Sequence, residues 1–513
     1  MAPGYERRSL GAVFGPHSSV RRQHVAVVAL ALVVALAAAA CGSGVQESSA
    51  PDTTVEGFTP GDPSTTEPPE TTIDFGTCDV GFGECGTVTV PLDYSEPEGQ
   101  TIYIEVARVP AANPAERIGV LLTNPGGPGA SGVEFALAQP FPQEVLDRFD
   151  IIGWDPRGVG GSAGLTCGDE VDAFLDIDPE PDSRREQRQL DRAAQAVADE
   201  CEQTDGEVLP FVGTRDVVQD MDAIREALGE DQISYAGYSY GTALGLGYLE
   251  QFPERTRAMV LDGVVDPTQG LTDFLLTQGP AIEGQVNDIL ARCDDDPDCP
   301  LDDAAAAYDE VAALLDEAPV AGGDGEVGPA ELQTGAVYAT YEFSPDDPAA
   351  LWQALADALD GDGSGLADLA QQYYDLGGYT AYAAVECVDS PVPQGSAEYQ
   401  AFADELIAAA PRTGASVANE LLPCAFWPAP ASGDPHVVTA PGSPPVLVIG
   451  NTGDAATPYQ QAVDVADNLA DGHLLTLEAN GHVGSGRSTC VDDASTAYLI
   501  DLTLPEEGTT CQE

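Results

Sequence analysis

Apolar and polar positions repeat along the chain with two periods. Thr101–Val109 alternates every second residue, as a half-buried strand does. Ile118–Thr123 and Asp150–Trp154 are short apolar runs that read as buried strands, each followed by a Gly- or Pro-rich loop. Asp216–Leu228 carries the amphipathic period of a helix, and the next strand, Gln232–Gly237, follows it. Arg257–Asp262, Pro445–Gly450 and His473–Glu478 supply further strands. Strand–loop–helix units of this kind predict an α/β fold with a mostly parallel sheet, its loops gathered at the strands' C-terminal ends. Between 268 and 436 the pattern changes to helical Ala/Asp/Leu-rich stretches such as Asp302–Glu317 and Asp347–Leu359. Sheet-type strands resume afterwards, so this stretch is expected to be an inserted helical cap rather than a separate downstream domain. The core is then expected over 75–267 and 437–513.

The N-terminal pattern is of another kind. Arg21 and Arg22, a weak twin-arginine hint, precede an apolar run, Val25–Ala40. The run is short for a membrane span and right for a signal segment, so residues 1–40 are expected to be a signal peptide. The run ends in small residues abutting Cys41, like a bacterial lipobox, although Ala38 stands where leucine is commoner. Lipidation at Cys41 is the expectation, with ordinary signal cleavage nearby as the alternative. Residues 41–74, rich in Ser, Thr, Pro, Gly and Glu, cannot bury a core and should form a disordered tether. Such a protein would be extracytoplasmic, lipid-anchored at the cell membrane or secreted.

Cysteine and charge add to this picture. Eleven cysteines fall to an even ten without Cys41, as a fully oxidised exported protein requires. Their spacing pairs neighbours, Cys78–Cys85, Cys167–Cys201, Cys293–Cys299, Cys387–Cys424 and Cys490–Cys511, although sequence alone does not fix connectivity. No cysteine stands in a tight pair with a histidine, which argues against zinc. The formal charge is −67 and every cation is arginine, with no lysine in the chain. Nucleic acid is therefore excluded as a partner. A cationic ligand or a peptide amine would be attracted by such a field, although net charge speaks first to solubility.

The strongest chemical motif is Gly237-Tyr238-Ser239-Tyr240-Gly241, a G-x-S-x-G turn at the end of a strand. It would project Ser239 as a nucleophile while the following helix aims its positive end at a developing oxyanion. A base must be a histidine, and beyond the signal segment there are His436, His473 and His482. His482, in a loop just after a strand near the C-terminus, fits the serine–acid–histidine order. Asp454 follows the preceding strand and is the expected acid, with Asp262 as its rival. The oxyanion hole would draw one N–H from Tyr240 and one from the loop Asn124-Pro125-Gly126-Gly127-Pro128-Gly129, with Gly127 as the donor. That loop matches neither a Walker motif nor G-x-G-x-x-G. Asp294-Asp295-Asp296-Pro297-Asp298 lacks the spacing of a calcium loop, so neither a metal nor a cofactor is expected.

The loop Asn124–Gly132, the segment Gly153–Gly160 and the turn Gly237–Gly241 together resemble the prolyl aminopeptidase branch of the α/β-hydrolase peptidases. The resemblance is greatest to the secreted bacterial tripeptidyl aminopeptidases and runs from about Phe75 to the end. Pro445–His482 and the segments around Cys387 and Cys424 are similar to that group as well. Asn124 departs from the histidine that prolyl aminopeptidases carry there. The resemblance implies an α/β-hydrolase fold and a serine aminopeptidase that releases short peptides, tripeptides by the name of that group, from free N-termini of peptides or proteins. It also implies carboxylates near the site for the substrate amine, with Glu386 and Asp389 as candidates. An esterase or lipase using the same triad is the alternative, and a non-catalytic binding lipoprotein is a further one. Epoxide hydrolases and dehalogenases place aspartate at the turn and do not fit.

Overall fold

The computed structural model describes residues 72–323, 325–344 and 347–513. The expected signal segment, Cys41 and most of the tether lie outside the described residues. Ten strands form one sheet: β1 (Gly76–Thr77), β2 (Glu84–Pro91), β3 (Thr101–Val109), β4 (Gly119–Asn124), β5 (Phe149–Trp154), β6 (Ile233–Tyr238), β7 (Thr256–Asp262), β8 (Val446–Gly453), β9 (Gly472–Asn480) and β10 (Thr510–Gln512). Their spatial order is β1-β2-β3-β5-β4-β6-β7-β8-β9-β10. The pairs up to β3–β5 are antiparallel and the remainder are parallel. Every residue of β6 is buried, as expected of a central parallel strand covered on both faces. The sheet, its crossing of β4 and β5, and the helices on both faces make this an α/β-hydrolase fold.

Two helices frame the sheet's C-terminal edge at its centre. Helix α1 (Thr214–Ala227) precedes β6, and α2 (Gly241–Gln251) leaves it after two residues. Between β7 and β8 the chain is mostly helical, opening with α3 (Leu271–Asp295) and including α4 (Tyr379–Asp389). A short antiparallel hairpin, Val320–Gly322 with Gly325–Val327, interrupts a stretch in which helical periods dominate. Gly323, at φ 56°, supplies the left-handed turn that breaks the helical period. Leu271, Val286 and Leu406 of this insertion share one apolar cluster with Tyr235 and Leu246 of the core, so the insertion is packed onto the sheet layer.

All five disulfides pair the neighbours that spacing predicts. The acidic loop between Cys293 and Cys299 commits two of its carboxylates locally: Asp294 accepts from the N–H of Ala304 and Asp296 from that of Asp298. The Asp155-Pro156-Arg157 segment proves structural. Arg157 is fully buried, makes a two-pronged ion pair with Asp220 at 2.7 Å, and donates to the carbonyls of Pro91 and Leu92.

Candidate active site

The turn between β6 and α2 places Ser239 at φ 53°, a left-handed conformation that a β-carbon resists. Its surroundings hold it there. The Ser239 N–H donates to Asp262 O at 3.0 Å, and Ser239 O accepts from the N–H and hydroxyl of Thr242. A β-carbon on Gly241 would stand 2.5 Å from Asn124 O, so only glycine lets the oxyanion loop and the turn approach so closely. Ser239 and His482 both line a cavity of about 630 Å³ between the sheet edge and the cap.

Strands β8 and β9 are parallel neighbours, and Gly453 pairs with Asn480 at their ends. The loops that follow therefore emerge side by side, one carrying Asp454 and the other His482. His482 Nδ1 stands 2.9 Å from Asp454 Oδ2 and 3.1 Å from Oδ1, with both side chains buried. Asp454 also accepts from the Thr457 N–H at 2.9 Å and the Thr457 hydroxyl at 3.0 Å. Among the described residues His482 Nε2 has no hydrogen-bond partner, although it is buried. A carboxylate on Nδ1 fixes the imidazole's tautomer and leaves Nε2 to accept a proton.

The rivals lie elsewhere. Asp262 accepts from the N–H groups of Gly484 and Ser485 and from the Ser485 hydroxyl, so it anchors the histidine loop rather than the imidazole. His473 is bonded to Asp471 away from the cavity, and His436 meets Glu250 at the cavity's rim.

Opposite the turn, Asn124 Oδ1 accepts the Gly126 N–H at 2.9 Å and bends the loop. The N–H groups of Gly127 and Tyr240 donate to no group among the described residues, and both residues line the cavity. Two free N–H groups beside Ser239 suit a developing oxyanion.

The structure separates the two amine-binding candidates on α4. Asp389 accepts from the Thr214 N–H and hydroxyl, each at 2.7 Å, and from the Tyr240 hydroxyl at 3.2 Å. It braces the start of α1 and the residue beside Ser239. Glu386 lines the cavity, and among the described residues no hydrogen bond or ion pair holds it. Sequence reasoning missed a third carboxyl, Glu420, which accepts from the hydroxyls of Tyr382 at 2.7 Å and Tyr373 at 3.1 Å. Burial and the neighbouring carboxylates Asp389 and Glu420 push Glu386 up to about 8. Burial likewise raises Glu420 to about 7, and Asp389 to about 6 against its own hydrogen bonds. Glu386 and Asp389, which line the cavity, and the nearby Glu420 thus have no cation partner among the described residues. Tyr341, also missed, packs its ring edge-on to the His482 imidazole with centroids 5.4 Å apart.

The chain is similar to known proteins over most of its length. The family model described as TAP-like protein matches residues 410–511. The chain is 37% identical over 468 residues to serine protease Hip1 of Mycobacterium tuberculosis, covering 84% of this chain and 88% of that protein. It is 34% identical over 450 residues to tripeptidyl aminopeptidase of Streptomyces lividans, covering 83% of each. It is also 36% identical over 469 residues to carboxylesterase B of Mycobacterium tuberculosis, covering 85% of this chain and 87% of that protein. With this fold, this site and relatives matched over most of their length, the chain belongs to the TAP-like family of α/β-hydrolase serine peptidases.

Proposed function

We propose that the protein is an extracytoplasmic aminopeptidase that releases short peptides, tripeptides by analogy with the Streptomyces relative, from free N-termini. The observation that carries this reading is the unpartnered Glu386 carboxyl in the same cavity as Ser239 and the His482–Asp454 pair. Ser239 Oγ attacks the scissile carbonyl as His482 Nε2 takes its proton, and Asp454 stabilises the imidazolium. The Gly127 and Tyr240 N–H groups receive the oxyanion. The imidazolium then protonates the leaving amine, and water, activated by the same histidine, hydrolyses the acyl-enzyme. Glu386 binds the substrate ammonium, and Asp389 positions Tyr240 and Thr214 around it. Lipidation at Cys41 would tether the enzyme to the outer face of the membrane.

The relative named carboxylesterase B favours a second reading, hydrolysis of acyl esters by the same residues. One comparison separates the two. The free tripeptidyl anilide should be cleaved at least tenfold faster than its N-acetylated form, since a lost charged hydrogen bond is worth about 1.5–3 kcal/mol. Equal rates would refute the aminopeptidase. Labelling by a fluorophosphonate should vanish in Ser239→Ala, and persistent labelling would remove Ser239 as the nucleophile.

A further inference from the structure

We propose that helix α3 of the cap is a positioning element for the acid–base pair, gripping from above the two loops that carry Asp454 and His482. This role stands on the acid–base assignment just made. The apolar face of α3 (Leu275, Ile282, Val286 and Ile289 among it) is buried in the core cluster and accounts for its packing. A second stripe is polar: Gln278, Gln285, Asp288 and Arg292, separated by seven, three and four residues, share one side of the helix.

Three members of that stripe reach residues that flank the pair, and the fourth reaches the segment that holds the His482 backbone. Gln278 Nε2 donates to Ala456 O at 2.7 Å and Gln285 Nε2 to Gly453 O at 3.2 Å, which brackets Asp454 from both sides. Asp288 accepts from Asn480 Nδ2 at 3.2 Å, two residues before His482, and pairs with Arg292 at 3.0 Å. Arg292 in turn holds Glu342 with both terminal nitrogens. Glu342 sits at φ 45°, and its neighbour Tyr341 accepts the His482 N–H at 2.8 Å. The loops also meet each other here, since Gly453 O accepts the Gly481 N–H at 3.3 Å. Cap docking alone needs only the apolar face. Amide donors aimed at single backbone carbonyls on either side of the acid fix where that acid stands, and displacing a catalytic group by about 1 Å can cost about 100-fold in rate.

The test uses Gln278→Met and Gln285→Met, singly and together, with Arg292→Met and Arg292→Lys. Methionine keeps the side-chain length and removes the donor. Three readouts apply: kcat and KM on a free tripeptidyl anilide, the second-order rate of phosphonylation by a fluorophosphonate, and thermal unfolding. Phosphonylation reports the nucleophile and its base without the amine site. In the double glutamine variant, kcat and the phosphonylation rate should fall together by roughly tenfold or more, with KM within about threefold. The acidic limb of the pH–kcat/KM profile should move, and Arg292→Lys, which keeps the charge but not the fork, should recover part of what Arg292→Met loses. Folded variants with unchanged kcat and phosphonylation, or a loss confined to KM, would overturn the role. Should the double variant not fold, Gln278→Glu preserves shape while presenting an acceptor to Ala456 O, and the same two outcomes decide. Wild-type labelling at Ser239 is read first. If it fails, the site assignment falls; if it holds while the α3 variants are indifferent, only the positioning role falls.

Discussion

Glu386 and Asp389 differ by one helical turn and by everything that matters to a ligand. Both are acidic, both line the cavity, and nothing in their sequence neighbourhood ranks one above the other. Asp389 is saturated by Thr214 and Tyr240, whereas Glu386 is held by nothing among the described residues. This distinction was not legible in the sequence, because it depends on α1 arriving beside α4 from a distance of 175 residues. The placement of Ser239, His482 and Asp454 just past strand ends was legible, because strand periods show where each strand stops. The raised carboxyls give a signed expectation. Glu386 stands at about 8 in the fold against an ordinary 4.5, so the folded protein keeps a proton that the unfolded chain releases between those values. The contribution of Glu386 to the stability of the empty enzyme is therefore fully present below this window and lost as pH rises through it, with Glu420 and Asp389 contributing in the same direction. Glu386→Gln should flatten that decline in thermal melts. The same variant should raise KM for free-amine peptides about tenfold while leaving kcat on N-acetylated ones unchanged. A wild-type melt that is flat with pH would remove the unpaired carboxyls from the account.

At the scale of elements, the periods along the chain place the strands to within a few residues. Ile233–Tyr238 replaces the expected Gln232–Gly237, and Val446–Gly453 extends the expected Pro445–Gly450. The leading half of β2 alternates weakly and is only partly buried, which is why its sequence gives little signal. The polar stripe on α3 escapes notice for a similar reason: glutamines on a helix read as solvent-facing until the loops they reach are known. Spacing did disclose the disulfides, and one of them bears on the site. Cys387–Cys424 closes a 37-residue loop and fastens α4, which carries Glu386, to the segment beyond Glu420. Chain entropy alone assigns such a loop about 4 kcal/mol. Cys387→Ser with Cys424→Ser should lower the unfolding free energy by about that amount and raise KM more than it lowers kcat. A change in kcat alone would show that the bridge does not order the proposed amine-binding segment around Glu386.

Over the whole molecule, the formal charge of −67 spread over a chain without lysine makes self-repulsion the dominant long-range force. Salt shortens its reach to about 10 Å at 0.1 M and to about 3 Å at 1 M. The melting temperature should therefore climb with sodium chloride over that range, and a fall would mean that specific ion pairs outweigh the repulsion. Composition conveyed this much directly, whereas the continuity of cap and core in one apolar cluster required the structure. That continuity, together with the grip of α3 on Ala456 and Gly453, limits how this architecture can be recombined. The junctions near Thr268 and His436 look like seams at which one relative's cap could be exchanged for another's to change substrate range. A graft joined there exchanges α3 as well, and with it the hand that holds the acid in place. On this reading cap and acid–base pair work as one mechanical unit, and an exchange that preserves turnover must carry the donors at 278 and 285 across the seam.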